Sequence, residues 1–368
     1  MLKRIFYIIN IVLAFLLLAT YVAVFVPPHI APKLSLLPFL YPTLLIINIC
    51  FIIVWIFVKW KYIIIPLICI LIRVDYIPNL YRLSGTEHRT PIENSEIKVL
   101  SYNVCSFHFN TKWNEDKQPR IDQIYNYVKE LNPSIISFQD YNSSKTNKES
   151  IHYKLVNELG LKYYYSAINH KNRISGNVIY SKYPIVQSGV LFPTKETSNS
   201  YIYADLELKE GQIIRIINLH LASFKLQEED KEKFNKLKEG AISDVKENAK
   251  PIAQKLIWAN ERRSKEVDEI EPILSENNLP TILTGDFNDT PFSYTYKMLS
   301  KNFTDTFKSQ GKGFGTTYNG DFPAYRIDYI FCDKTKFNVK SFERKKLDYS
   351  DHYPVSTVLT YNLYDKNL

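Results

Sequence analysis

The chain has 368 residues, with 46 Lys and Arg against 38 Asp and Glu and a formal charge of +8. That length holds a membrane segment plus one large domain or two ordinary ones, at about 100 to 200 residues per domain. Eight of the basic and two of the acidic residues fall in 1–90. The remaining 38 basic and 36 acidic residues in 91–368 nearly cancel, which argues against electrostatic capture of long nucleic acid by that part. Cys50 and Cys69 sit in apolar runs and Cys105 and Cys332 lie far apart, so the four cysteines form no disulfide framework and read as unpaired.

Lys3 and Arg4 precede an uncharged apolar run from Ile5 to Val26, slightly longer than the roughly 20 residues that cross a hydrocarbon core. A cleaved signal peptide begins in the same way, but its apolar core is only about 7 to 15 residues long. A second uncharged run, Phe39 to Val58, ends in Lys59-Trp60-Lys61, the basic and aromatic signature of a cytoplasmic membrane edge. A third stretch, Tyr62 to Ile72, is short for a span and reads as a tilted crossing, a re-entrant piece or an interfacial helix. Three crossings place everything after residue 75 outside the cytoplasm, and two leave it inside. The tight Lys59-Trp60-Lys61 turn favours three, whereas Arg73, Arg82 and Arg89 pull the other way. The chain therefore divides into a transmembrane segment of two to three helices (1–75), a linker (76–95) whose hydrophilic stretch Ser84 to Glu96 carries Gly85 and Pro91, and a larger domain (96–364).

In the larger domain, short apolar runs recur at Ile97 to Val104, Ser134 to Gln139, Gly176 to Tyr180, Ile213 to His220, Thr281 to Thr284, Tyr325 to Phe331 and Val355 to Leu359. Several stop on a carboxylate, an amide or an imidazole, as strands do when their ends build a polar site. Arg120 to Leu131 carries apolar residues at 121, 124, 125, 128 and 131, a helical period, and Lys225 to Ile270 is charge-rich and helical by propensity. Strands with occasional helices and no regular βαβ alternation predict an α+β fold of two stacked sheets flanked by helices, a four-layer α/β/β/α sandwich behind N-terminal transmembrane helices.

Thr284-Gly285-Asp286-Phe287-Asn288-Asp289 delivers an acid and an amide two positions apart, on one face if the strand continues. By itself this is ordinary turn chemistry. Ser350-Asp351-His352 sets an acid beside a histidine just before a strand, a sequence more often found in surface loops. Asp328, inside Arg326-Ile327-Asp328-Tyr329-Ile330, needs a partner because an isolated buried carboxylate is costly; Arg326 is the nearest candidate, and orienting a third group is the other.

Asn103, Gln139-Asp140, Asn218-Leu219-His220, Gly285-Asp286-Phe287-Asn288, Arg326-Ile327-Asp328 and Ser350-Asp351-His352 occur in an order and spacing that resembles the endonuclease/exonuclease/phosphatase superfamily, over about residues 96 to 362. The resemblance implies a phosphodiesterase that uses Mg²⁺, with Mn²⁺ as an alternative, and in-line attack of an activated water. It assigns Asp140, Asn103 and Asp351 to the metal, and Asp286 and Asn288 to the water and the phosphate. His352 would contact the scissile phosphate, as general base or as charge stabiliser, with Asp328 orienting it, and His220 is a candidate acid for the leaving oxygen. Where the family usually has Gln-Glu, this chain has Gln139-Asp140, one methylene shorter at the metal. The layout resembles membrane-tethered bacterial members: a multi-pass inner-membrane protein, catalytic part extracytoplasmic, whose partners are the bilayer and a phosphoester drawn from lipid head groups, nucleotides or nucleic acid. A non-catalytic membrane protein binding a phosphorylated ligand or an envelope partner with the same fold is the alternative. Lys225 to Ile270 reads as a solvated helical segment that could overhang the site, and Tyr163 to Tyr165 with Tyr294 and Tyr296 as sheet packing before any base or lipid contact.

Overall fold

The computed structural model describes residues 2–87, 96–108, 116–191, 201–209, 211–224, 228–238, 245–320 and 325–362. The hydrophilic stretch expected to join membrane segment and domain lies largely outside them, at 88–95. The chain forms two compact units, one made of Met1–Tyr81, Ser223–Asp268 and Asp289–Met298, the other of Arg82–Ala222, Glu269–Asn288 and Leu299–Leu368.

In the first unit the apolar runs become helices Leu2–Ala23 and Tyr41–Val58, the second preceded by the 3-10 segment Pro32–Leu40. Both are long and apolar enough to cross a membrane, over Lys3–Ala23 and Pro32–Val58. Their outward faces carry Ile8, Val12, Phe15, Val22, Ile53 and Phe57 exposed, a surface suited to lipid. Two polar side chains of these helices find partners in the apolar surround: Trp55 Nε1 donates to Asn10 Oδ1 across the pair at 3.0 Å, and Asn48 Nδ2 donates to the Leu44 carbonyl of its own helix at 2.8 Å. The third stretch is a bent pair, Trp60–Leu71 and Val74–Leu80 at 57°. It breaks at Arg73, which leaves the helical region at φ −132° and holds both carboxylate oxygens of Asp75.

The charge-rich segment forms helices Glu228–Lys238 and Val245–Glu276. Up to Asp268 it packs within this N-terminal unit. Asn260 donates to Ser35, His29 meets Ser264, and Phe224 lies 6.3 Å from Phe39. One side of the long helix is thus buried against the turn between the two membrane-length helices.

The second unit holds two six-stranded sheets. The first runs Phe337–Arg344, Val355–Tyr361, Glu96–Asn103, Ile135–Ser144, Arg173–Ser181, Tyr163–Asn169 in spatial order. The second runs Phe303–Asp305, Asp328–Asp333, Thr281–Asp286, Gln212–His220, Ile202–Lys209, Ile185–Val190. Strand alternation sorts side chains into layers. Ile97, Val99, Ile135 and Ile179 face Ile202, Ile214, Ile216, Ile282 and Ile330 between the sheets. Leu100, Tyr102, Ile136 and Tyr180 turn the other way, to helices Gln118–Leu131 and Ile151–Asn157. The result is two stacked sheets flanked by helices.

Two parallel pairs position the strand ends. Glu96–Asn103 runs beside Ile135–Ser144, setting Asn103 next to Gln139, and Gln212–His220 runs beside Thr281–Asp286, setting His220 next to Asp286. On the far side Asp328 pairs with Asp286, antiparallel. Strands Ile185–Val190, Phe303–Asp305 and Phe337–Arg344 escape the sequence reading because they are edge strands, short or with half-exposed faces, and of the edge strand Tyr163–Asn169 only Tyr163 to Tyr165 were read as sheet. Ile202–Lys209 escapes it despite a legible alternation. The run Tyr325 to Phe331 becomes strand only from Asp328, because the Ile327 and Asp328 amides bond instead to Thr317 Oγ1.

Candidate active site

Asp286 ends its strand 1% exposed, at the centre of a polar cluster. Its Oδ2 accepts from Asn103 Nδ2 at 3.0 Å and lies 3.7 Å from His220 Nε2 and 3.6 Å from His352 Nε2. The close neighbour strand depends on Gly285: at φ +140°, a Cβ here would stand 1.9 Å from the Leu219 carbonyl oxygen.

Of the two readings of this string, a continuing strand with Asp286 and Asn288 on one face or a turn, the structure has the turn. The strand stops at Asp286, Asn288 adopts the left-handed conformation at φ +52°, and its amide donates to Asp286 Oδ1 at 2.8 Å. This is an Asx turn, the local alternative an acid offers to a ladder. Asn288 Nδ2 donates to the Leu221 carbonyl at 3.0 Å, so its side chain still belongs to the cluster.

His352 is 5% exposed and Asp328 is 2% exposed. Asp328 Oδ2 and Oδ1 stand 2.9 and 3.1 Å from His352 Nδ1. Arg326, the nearer candidate partner in sequence, is taken elsewhere: its Nη1 donates to Asp305 Oδ2 at 2.6 Å. Burial opposes a charge on His352, but the carboxylates of Asp328 and Asp286 outweigh it and hold the imidazole well above its ordinary pKa. Burial, against the pull of His352, likewise pushes the Asp328 carboxyl up. The shared proton belongs on the imidazole, which two carboxylates face from opposite sides. Asp286, Asp328 and His352 also form a group whose ligand atoms lie within 4.8 Å of one another, a donor set able to hold a metal ion.

Asp140 follows a register shift in its strand, at φ +48°, with its side chain 48% exposed and Oδ1 3.5 Å from His220 Nδ1. Asp351 is half-buried and accepts from Ser350 Oγ at 3.2 Å, while Ser350 Oγ also donates to the Asn103 carbonyl at 2.7 Å. Asn103 Oδ1 accepts the Cys105 amide at 3.0 Å. Burial, then the carboxylates of Asp351 and Asp140, push the Cys105 thiol far up.

Two motif residues act as supports. Gln139 Nε2 donates to Asn218 Oδ1 at 2.7 Å, and Asn218 Nδ2 donates to the Phe138 carbonyl at 2.9 Å, linking the sheets beneath the site. Thr284 Oγ1 reaches Ser137 Oγ at 2.7 Å, adding a second link. Sequence reasoning missed Thr317, which holds the Asp328 amide, Cys105, and Tyr318, whose ring lies edge-on to His352 at 5.6 Å. Only Cys105 had a signal, its place two residues after Asn103.

A sequence profile described as the Endonuclease/Exonuclease/phosphatase family matches residues 100–352, and a profile for a domain of unknown function matches residues 3–80. No curated protein matches the chain. Among solved structures, a family protein from Leptotrichia buccalis is 19% identical, covering 73% of this chain and 100% of its own, with a TM-score of 0.47. One from Bacteroides thetaiotaomicron is 19% identical over 74% of this chain and 98% of its own, TM-score 0.47. The human Nocturnin catalytic domain with bound sulfate anion is 18% identical over 74% and 95%, TM-score 0.47. The profile covers more than two thirds of the chain, its members are in general hydrolases of phosphoesters, and this chain belongs to the endonuclease/exonuclease/phosphatase family.

Proposed function

We propose that this protein is a membrane-anchored, Mg²⁺- or Mn²⁺-dependent phosphodiesterase that hydrolyses a phosphoester by in-line attack of water. The observation that carries the reading is the buried Asp328–His352 pair with Nε2 aimed toward Asp286. A water held by Asp286 attacks phosphorus, its proton passes to that carboxylate, and the bond from phosphorus to the leaving oxygen breaks. His352, charged and oriented by Asp328, neutralises the phosphate oxygens as the transition state forms. Asn288 orients the phosphate, and His220 donates the proton that the leaving oxygen takes up.

Asp140, Asn103 and Asp351 are the hard oxygen donors for the cation, and a bound cation supplies charge neutralisation on the phosphate. The donor chemistry fits this assignment: Asp140, half-exposed beside His220, and Asp351 offer carboxylate oxygens and Asn103 an amide oxygen, the ligands a hard cation takes. The shorter Asp140 sits on an irregular, left-handed residue, where backbone position can offset one methylene.

The test uses the full chain in nanodiscs, bis(p-nitrophenyl) phosphate and Mg²⁺ or Mn²⁺. Wild type should turn over only with metal, and His352→Ala should lose about 10²- to 10⁴-fold in kcat. Undiminished turnover by His352→Ala would remove the reading.

The orientation we favour has three crossings, with the catalytic unit extracytoplasmic in a bacterial-type inner membrane. Lys3 and Arg4 lie at one end of the first helix and Lys59 and Lys61 follow the second, so both pairs share the side that the turn at 24–40 does not. That turn packs on the polar helix Val245–Glu276 through His29 and Ser35, which supports placing the turn on the water side that the enzyme's polar segments occupy. Tyr76 and Asn79, at the end of the bent pair, meet Phe292 and Pro291 there. A basic pair on the opposite side makes that opposite side cytoplasmic.

A further inference from the structure

Two chain segments leave the site for the N-terminal unit almost at once. Ser223 follows His220 by three residues, and Asp289 follows Asn288 directly. Both segments are held by one side chain. Arg263, in the long helix Val245–Glu276, is 0% exposed, and its Nε donates to Asp289 Oδ2 at 3.2 Å. Its guanidinium carbon lies 4.6 Å from the centroid of the Phe224 ring. Arg263 Nη2 also donates to Asn260 Oδ1, and the Asn260 amide donates to Ser35 Oγ at 2.9 Å and to the Ser35 carbonyl at 3.2 Å, in the turn before the second membrane-length helix. Asp289 is 4% exposed and its Oδ1 accepts the Thr290 amide at 2.9 Å. Farther along, Phe292 is packed by Tyr41 at 4.3 Å and Tyr76 at 5.9 Å.

A buried ion pair is a poor way to gain stability. Its desolvation costs several kcal/mol per ion, and an apolar pair of equal volume packs as well. What the fork geometry of Arg gives is direction. Direction matters here because Asn288, the residue peptide-bonded to Asp289, holds a left-handed conformation that has to be fixed by its surroundings. On its own side of that peptide bond, Asn288 is fixed by Asp286 and by the Leu221 carbonyl. On the other side the next side chain is Asp289, held by Arg263. The Leu221 carbonyl that accepts from Asn288 lies three residues before Phe224, so the same guanidinium also fixes the segment after His220.

We infer that Arg263 and Asp289 are positioning residues for hydrolysis. Through the chain on either side, this buried pair sets the loop geometry of Asn288 and of the segment after His220, and Asn260 with Ser35 couples it to the membrane-helix unit. The inference rests on the phosphodiesterase reading for its catalytic consequence, but the loop ordering it describes can be measured without turnover.

The experiment compares full-length wild type, Arg263→Lys, Arg263→Met and Asp289→Asn in nanodiscs, by kinetics on bis(p-nitrophenyl) phosphate with Mg²⁺ and by hydrogen exchange of peptides covering 219–224, 284–292 and 96–103. Arg263→Met should lower kcat about 10- to 100-fold, the scale of a small misplacement of reacting groups, with KM within about twofold. Exchange should rise in 219–224 and 284–292 while 96–103 stays protected, and Arg263→Lys should restore part of both. If Arg263→Met loses protection in 96–103 as well, the near-isosteric Asp289→Asn decides by the same criteria. Wild-type kcat and wild-type exchange at 284–292 in a folded variant would overturn the inference. So would loss of protection across all three peptides in every variant, the mark of a merely structural pair. If wild type itself shows no metal-dependent turnover, the phosphodiesterase reading fails, and the exchange pattern alone still decides whether the pair orders the loops.

Discussion

His352 and His152 are both buried histidines with opposite electrostatics. His352 faces two carboxylates and is raised, whereas His152 meets the neutral Tyr180 hydroxyl, 2.7 Å away, against the ring of Tyr164. Burial, with a smaller push from Lys145, takes His152 down from 6.5 to about 4. A histidine lowered in the folded state binds fewer protons there than in the unfolded chain between those values, so its contribution to stability is intact above 6.5 and falls as pH drops toward 4. The melting temperature of wild type in detergent should therefore drop more from pH 7 to pH 4.5 than that of His152→Asn; parallel curves would show that this site is not responsible. Gly285 is the other residue whose role is set by its immediate surroundings. Gly285→Ala drives a methyl into the Leu219 carbonyl and should leave the protein without a cooperative melt, a result that a normal transition would refute. The Gly285-Asp286-Phe287-Asn288 string was legible in sequence as candidate site residues and as either a turn or a continuing strand, and local letters did not choose between the two because an Asx turn and a continuing strand begin alike.

At the scale of elements, Asp305 does two jobs. It caps the short helix Thr306–Gln310 by accepting from the Phe307 and Lys308 amides at 3.0 and 3.3 Å, and it neutralises Arg326, itself 4% exposed. Asp305→Ala takes a carboxylate away from a buried guanidinium and should cost about 3 to 5 kcal/mol. Adding Arg326→Met should recover most of that in denaturant melts; no recovery would mean the cap is the larger part. The sequence offered two partners for Asp328, its neighbour Arg326 or a third group that it would orient, and both readings placed residues 326 and 328 on one strand. The strand does not begin until Asp328, so it does not reach Arg326. The helix Gln118–Leu131 was legible within two residues, since its apolar period is unmistakable. The charge-rich stretch was legible as helix but not in its packing. A polar composition gives no hint that Asn260 and Arg263 are buried.

At the scale of the whole molecule, the orientation in the bilayer is open to a direct check. Ile30 and Trp60 are 69% and 70% exposed, at opposite ends of the membrane-length helix Pro32–Val58. In a cysteine-free background, an impermeant maleimide applied to intact cells should label Ile30→Cys and leave Trp60→Cys unlabelled. The reverse pattern would put the catalytic unit in the cytoplasm. The sequence by itself determined the apolar spans, the α+β layering and the candidate residues, because hydropathy, strand period and the chemistry of strand ends are written in consecutive letters. The meeting of Asp328 with His352 was already implied by the family resemblance; only the tertiary structure decided that Arg326 meets Asp305, and that the charge-rich insertion and the segment after Asn288 fold with the N-terminal helices. Those choices join residues tens to hundreds of positions apart, and at such separations the partner of a buried charge is selected by packing and desolvation rather than by local pattern.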